Sequence, residues 1–217
     1  MKEHPILFST QMVRAILDGY KTQTRRIIKF KRNSPVVSMT NHFQPFSDSP
    51  KNYQCWTAEH DEKTQAFMEQ EILCPQGFVG DSLWVRETWA HDDLNCKDVK
   101  CGNRDHIWWK ANESKIVADS FAGEARWRPS IFMPRWASRL TLKIINIRVE
   151  RIQDITQKDA SFEGIPMPAY GEYPLSETAD YLIPEFRKLW DSINGKKGFG
   201  WDANPFVWVI EFIRPKS

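Results

Sequence analysis

Val13, Ile16, Leu17 and Tyr20 fall at i, i+3, i+4 and i+7, the spacing of one helical face. The apolar run Pro5-Ile6-Leu7-Phe8 before them reads as a strand, Ser9 or Thr10 supplies a cap, and Gly19 supplies the stop. A strand over about 23–28 follows. Further on, Leu83, Val85, Glu87 and Trp89 alternate with Trp84, Arg86 and Thr88, which predicts a strand over 83–89. The longest strand pattern covers about 139–152. Within it Leu140, Leu142 and Ile144 share one parity, whereas Ile145, Ile147 and Val149 share the other. Such a switch predicts a β-bulge, the device that bends a strand around a corner. Thr156 and Asp159 then resemble a capping box for a helix that runs to Gly164 and carries Glu163 near its end. Pro184 opens another helix, with Phe186, Leu189, Trp190 and Ile193 on one face and Gly195 as its stop. Residues 205–213 are apolar at both parities, as in a strand buried on both faces.

Two stretches break these patterns. Residues 29–78 and 90–127 are polar and turn-rich, and they read as insertions on one domain that spans 1–217. Between 127 and 136 the prolines at 129 and 134 argue for an edge or crossing segment. The order β, α, β, β, long bent β, α, α, β predicts an α+β fold built on a small mixed barrel with flanking helices.

Composition narrows the partners. With 30 Lys and Arg against 28 Asp and Glu, the net charge is +2, which excludes a strongly cationic coat for DNA but permits a local basic cleft. Ten tryptophans offer core volume and a few platforms for a base. No stretch approaches the ~20 apolar residues of a membrane span, and Met-Lys-Glu-His-Pro at the N-terminus lacks a signal-peptide core, so the chain reads as cytoplasmic. Cys55, Cys74, Cys96 and Cys101 fit no paired zinc-ribbon spacing and read as free thiols; a zinc site using some of them with His91 or His106 is the less favoured alternative. No cofactor is expected. Nothing in the pattern sets an oligomeric state.

The chemistry concentrates in Gly19-Tyr20-Lys21-Thr22-Gln23-Thr24-Arg25-Arg26. A lysine, two hydroxyls and two arginines follow a helix-ending glycine. Thr24 is a candidate nucleophile. Lys21 is a candidate base, provided that burial or the neighbouring Arg25 and Arg26 lower its pKa. Strict alternation would put Lys21 and Thr24 on opposite faces, so this chemistry requires Lys21 to lie in the turn. The bland alternative is a basic turn that complements a helix C-terminus. On 83–89, each face carries one charge beside an aromatic. Trp84, Arg86, Glu87 and Trp89 are therefore candidates for a cleft, with a salt bridge between strands as the structural alternative.

The pattern Gly19-x-Lys21-Thr22-x-Thr24-x-Arg26, the Gly80-Asp81 turn before a strand, and the closing Val209-Ile210-Glu211-Phe212 together resemble the ASCH domain, a family of the PUA-like β-barrel superfamily. The likeness covers about 5–28, 79–89, 139–164 and 205–213, and leaves out the two insertions. With Trp84-Val85-Arg86-Glu87-Thr88-Trp89 and Trp201-Asp202-Ala203-Asn204-Pro205, the whole chain looks most like the enlarged ASCH proteins of bacteriophages and prophages, which would place it in a host cytoplasm. The resemblance implies a cleft for RNA, DNA or a modified nucleoside or nucleotide. Within the family, the bacterial N4-acetylcytidine amidohydrolases have a catalytic lysine and threonine that fall on Lys21 and Thr24, and a catalytic glutamate best matched by Glu163. Thr22, Arg25, Arg26, Trp84, Arg86, Glu87 and Trp89 would contact the nucleotide. A non-catalytic binding module would use the same residues as ligands. An ASCH-type ribonuclease is a further alternative, in which Lys21 and Arg26 would stabilise a phosphorane.

Overall fold

The computed structural model describes residues 1–29, 73–91, 107–112, 127–166 and 181–215 in full, and the backbone of four short strands between 39 and 68. The strands are β1 (Glu3–Leu7), β2 (Gln23–Ile27), β3 (Met39–Asn41), β4 (Cys55–Thr57), β5 (Glu59–His60), β6 (Phe67–Met68), β7 (Ser82–Arg86), β8 (Trp89–His91), β9 (Ile107–Trp109), β10 (Thr141–Arg151) and β11 (Phe206–Ile213). The helices are α1 (Thr10–Leu17), α2 (Gln157–Phe162) and α3 (Leu182–Asn194).

Five strands form one mixed sheet in the order β1-β7-β10-β11-β2. β1 runs parallel to β7, and the other neighbours are antiparallel. The chain thus has the expected α+β class. Among the described residues the ladder order does not close into a ring, and β1 and β2 are its ends. These ends still approach one another, because the Arg26 guanidinium on β2 donates to the Leu7 carbonyl at the end of β1 at 2.7 Å. Among the described residues, no helix is long and apolar enough to cross a membrane.

The bend lies where the parity switches. The β10–β11 register shifts between Ile144 and Asn146, leaving Ile145 without a partner. The bulge turns Ile144 and Ile147 into the same core and leaves Ile145 45% exposed. The final strand is interior to the sheet, next to the edge strand β2, and is covered on both sides. Trp208, Ile210 and Phe212 pack with Val13 and Ile16 of α1 and with Leu83 and Val85. Val207 and Val209 pack on the other face with Ala160 of α2 and with Phe186 and Trp190 of α3.

The strand expected over 83–89 is in fact two. β7 ends at Arg86, and after Glu87 and Thr88 the chain enters β8, which pairs with β9. Trp89 therefore leaves the main sheet and packs with Ile107, Met133 and Ala137 in a small separate cluster. Part of the 90–127 insertion is thereby tied to the core; most of 29–78 and the rest of 90–127 lie outside the described residues.

The bulge sets an uneven sensitivity along one strand. Ile147→Ala is expected to cost about 2–5 kcal/mol, as for a buried aliphatic truncation. Ile145→Ala, two positions away, is expected to stay within about 1 kcal/mol. Urea unfolding of both variants checks this contrast, and equal losses would contradict the bulge.

Candidate functional site

The turn after α1 is built by its glycine. Gly19 adopts φ +84°, and the amides of Tyr20 and Lys21 both donate to the Ala15 carbonyl, at 2.9 and 3.0 Å. Lys21 therefore lies in the turn, not in the pleat of β2. Thr22 locks the exit: its amide donates to the Phe162 carbonyl at 2.9 Å, and its carbonyl accepts from the Phe212 amide at 2.8 Å.

Glu163 arrives from the other side. Thr156 and Asp159 form the expected capping box at the start of α2, and Glu163 is the C-cap residue of this helix. Gly164 then reverses the chain at φ +87°. A Cβ here would stand 2.9 Å from Ala15 Cβ and 3.1 Å from Lys21 Cβ, so the turn packs directly on the lysine stem.

Lys21, 2% exposed, donates to the Glu163 carbonyl at 2.7 Å and to Glu163 Oε2 at 2.8 Å. An ammonium has three N–H donors, so one remains. Burial holds the Lys21 amine below the usual lysine range; Glu163 opposes that shift, and Arg26 and Arg25 reinforce it. Phe8 forms an apolar wall, its ring centroid 5.6 Å from Lys21 Nζ and 5.3 Å from the Arg26 guanidinium.

The second carboxylate oxygen of Glu163 is held by Arg25 at 3.2 Å. Arg25 also reaches Glu150 at 3.0 Å and Asp159 at 3.7 Å. Gln23 donates to Asp159 Oδ1 at 3.1 Å, and Arg148 bridges Asp159, Glu150 and Glu211. Sequence alternation could have suggested part of this network, since Arg148 and Glu150 share a parity on β10 and Arg25 faces Arg148 across Val209. The long-range pairing with α2 carries no local signal.

Two cavities meet at Glu163. The smaller, about 70 Å³, runs along the free edge of β2 and is lined by Thr24, Arg25, Arg26 and Glu163 together with residues of α1 and α3. Because it lies at the edge, it reaches residues of both parities. The larger, about 650 Å³, is lined by Glu163, Gly164, Tyr20 and Ser9 together with Tyr181 and Lys188. Its volume is in the range of small-molecule sites. Met12 and Leu189 also line both.

Thr24, Arg25, Arg26 and Glu163 thus line one cavity, Lys21 is joined to it through Glu163 without lining it, and Thr22 is a backbone clamp. The β7 candidates lie elsewhere, and none of them lines either cavity. Trp84 sits between Arg86 and Arg135, whose guanidinium carbons lie 5.5 and 5.9 Å from its ring centroid. Glu87 accepts two hydrogen bonds from Arg139 at 2.9 and 3.0 Å, which is the salt-bridge alternative. Trp89 is 1% exposed, set edge-on to Trp136, and offers no open face to a base.

Among the described residues, no group of three or more His, Cys, Asp and Glu is placed to hold a metal ion. Cys74 is buried, and burial pushes its thiol up to about 11. Cys96, Cys101 and His106 lie outside the described residues. No protein-family model matches the chain, and no curated protein or solved structure matches it either.

Two tests address the assembly. Gly164→Ala combines a left-handed φ with two close contacts, and a loss of about 1–3 kcal/mol is expected in thermal or urea unfolding. The second concerns pH. The folded-state pKa of Lys21 is depressed from 10.5, so the unfolded chain binds its proton more tightly. The resulting penalty is in full force below the folded pKa and is relieved as pH rises towards 10.5. Wild-type stability relative to Lys21→Met should therefore rise with pH on the alkaline side as 10.5 is approached. A difference that is flat or falls would contradict a desolvated lysine.

Proposed function

We propose that the chain is an ASCH-type protein of the PUA-like superfamily that takes a modified nucleoside, nucleotide or nucleic acid in this cleft. Its chemistry is hydrolysis of the amide of an N4-acylated cytosine. The observation that carries this reading is the buried Lys21–Glu163 pair, 2.8 Å apart, beside a cavity lined by Thr24. A lysine with lowered proton affinity, an oriented carboxylate and a hydroxyl provide the parts that acyl transfer needs.

In the reaction, Lys21 in its neutral form, which burial and the two arginines favour over the ion pair with Glu163, takes the proton of Thr24 as Oγ1 bonds to the acyl carbon. The negative charge that develops on the acyl oxygen needs donors. In the β2–β11 ladder, the Ile28 amide donates to Phe206 and the Thr22 carbonyl accepts from Phe212, so even-numbered residues turn towards β11. Alternation leaves the Arg25 amide on the free edge, next to Thr24, where it can stabilise that oxygen. The C–N bond then breaks, and the proton held by Lys21 passes to the departing exocyclic nitrogen. Water cleaves the acyl-threonine ester by the same base, releasing the carboxylic acid and restoring the hydroxyl. Glu163 holds the lysine in position throughout.

Charge balance favours this over simple phosphate binding. Lys21, Arg25 and Arg148 are already ion-paired with Glu163, Glu150, Asp159 and Glu211. A phosphate at Lys21 or Arg25 would have to displace the buried Glu163 carboxylate, whereas a neutral acylated base would not; Arg26, which donates to the Leu7 carbonyl, is the cation left for a phosphate group of a larger ligand.

The test is hydrolysis of N4-acetylcytidine by the wild type and by Lys21→Arg, Thr24→Ala and Glu163→Gln. Each variant is expected to lose about 10²–10⁴-fold in kcat. A guanidinium cannot serve as base at neutral pH, so Lys21→Arg separates charge from proton transfer. An inert wild type that still binds single-stranded RNA or DNA in a salt-sensitive way would replace the enzyme with a binding module.

A further inference from the structure

Asn194 is the last residue of α3 and is 8% exposed. It lines the small cavity together with Thr24, Arg26 and Trp190. Its backbone carbonyl accepts from Phe199 at 3.2 Å, but its carboxamide makes no hydrogen bond with any described residue. Nor is the carboxamide among the side-chain atoms sealed away from all space. A donor and an acceptor therefore border the void that contains the candidate nucleophile. Two more donors are unpaired nearby: the Nε groups of Arg25 and Arg26 are buried and have no partner. Buried polar groups are almost always satisfied, so two unpartnered guanidinium nitrogens and a carboxamide that borders the same cavity point to a ligand that supplies their partners.

The chemistry of that ligand follows from the set. A carboxamide is neutral and presents one donor beside one acceptor, so it matches an edge with one acceptor beside one donor. An N4-acylated cytosine has such an edge, with N3 accepting and N4–H donating. A phosphate has acceptors alone and would leave the carboxamide oxygen unanswered. The C-terminal end of α3, where Asn194 sits, also disfavours an anion.

Resting on the proposed amide hydrolysis, we infer that Asn194 is a specificity-determining residue that reads the donor–acceptor edge of the substrate base next to the scissile amide. It takes no part in proton transfer.

The experiment compares the wild type with Asn194→Leu and Asn194→Asp, in each case also in the Thr24→Ala background so that binding is measured without turnover. Titration calorimetry with N4-acetylcytidine and cytidine gives affinity, kinetics give kcat and KM, and thermal unfolding gives Tm. Asn194→Leu keeps the shape but removes both hydrogen-bonding groups. It is expected to weaken binding of N4-acetylcytidine by about 10–100-fold, mostly in KM, while Tm stays level or rises because an unpaired dehydrated amide is gone. Asn194→Asp loses the donor and adds charge, and should bind no better than Asn194→Leu. A purely structural asparagine gives the opposite pattern, a lower Tm with unchanged affinity, and that result overturns the inference. If the wild type neither binds nor cleaves N4-acetylcytidine, the amidohydrolase reading falls by itself. The four ordinary nucleosides then decide about Asn194: at least one binding the wild type more tightly than Asn194→Leu sustains the base-reading role, and none doing so ends it.

Discussion

The ion pair between Lys21 and Glu163 is the constraint on which the rest of the site depends. Both side chains are buried, and neither charge can stay there alone, because an unpaired buried ion costs several kcal/mol. The carboxylate must therefore reach the lysine, which fixes the last turn of α2 against the turn after α1. The Gly164 reversal and the Thr22 clamp on Phe162 and Phe212 are what allow that approach. Arg25 takes the other carboxylate oxygen and passes the constraint on to Glu150 and Asp159, and Arg148 ties these to Glu211 on β11. Sheet, helix and turn are thus registered by one chain of charges.

That registration also governs the lysine's chemistry. Burial weakens its hold on a proton, the two arginines push the same way, and the carboxylate pulls back. The same carboxylate that makes the burial tolerable keeps the amine from being merely a displaced base. Strands β10, β11 and β2 provide a rigid floor, since β11 is packed on both faces. The side chains that face the cavity are set by that floor and by α3.

Features governed by local stereochemistry were legible in the sequence. The Ser9 cap, the Gly19 stop, the Thr156–Asp159 box and the bulge at Ile145 each depend on a few adjacent residues. The two-sided final strand was legible because its pattern is apolar at both parities. Lys21, Thr24 and Glu163 could be nominated from the motif and the resemblance, but not their contact, which spans 142 positions of chain. Glu87 was ambiguous because a strand charge beside an aromatic suits a cleft or a salt bridge equally; its partner Arg139 decided it. Trp89 was misplaced because alternation was carried through Glu87 and Thr88, where the strand actually breaks. Asn194 gave no signal, since an asparagine before a glycine at a helix end looks like ordinary punctuation.

The position of β11 between β10 and β2 has a consequence for biosynthesis. β2 has β11 as its neighbour in the sheet, yet about 180 residues separate their first positions. At ribosomal speeds, β2 waits on the order of ten to forty seconds for that neighbour. During this interval the nascent segment lacks its β11 partner. The loop that must close is long, so its entropy is spent late and the topology favours slow completion. The Phe212 amide that clamps Thr22 beside the lysine is therefore among the last partners of the turn to be made, and an incompletely synthesised chain carries the whole motif without that clamp.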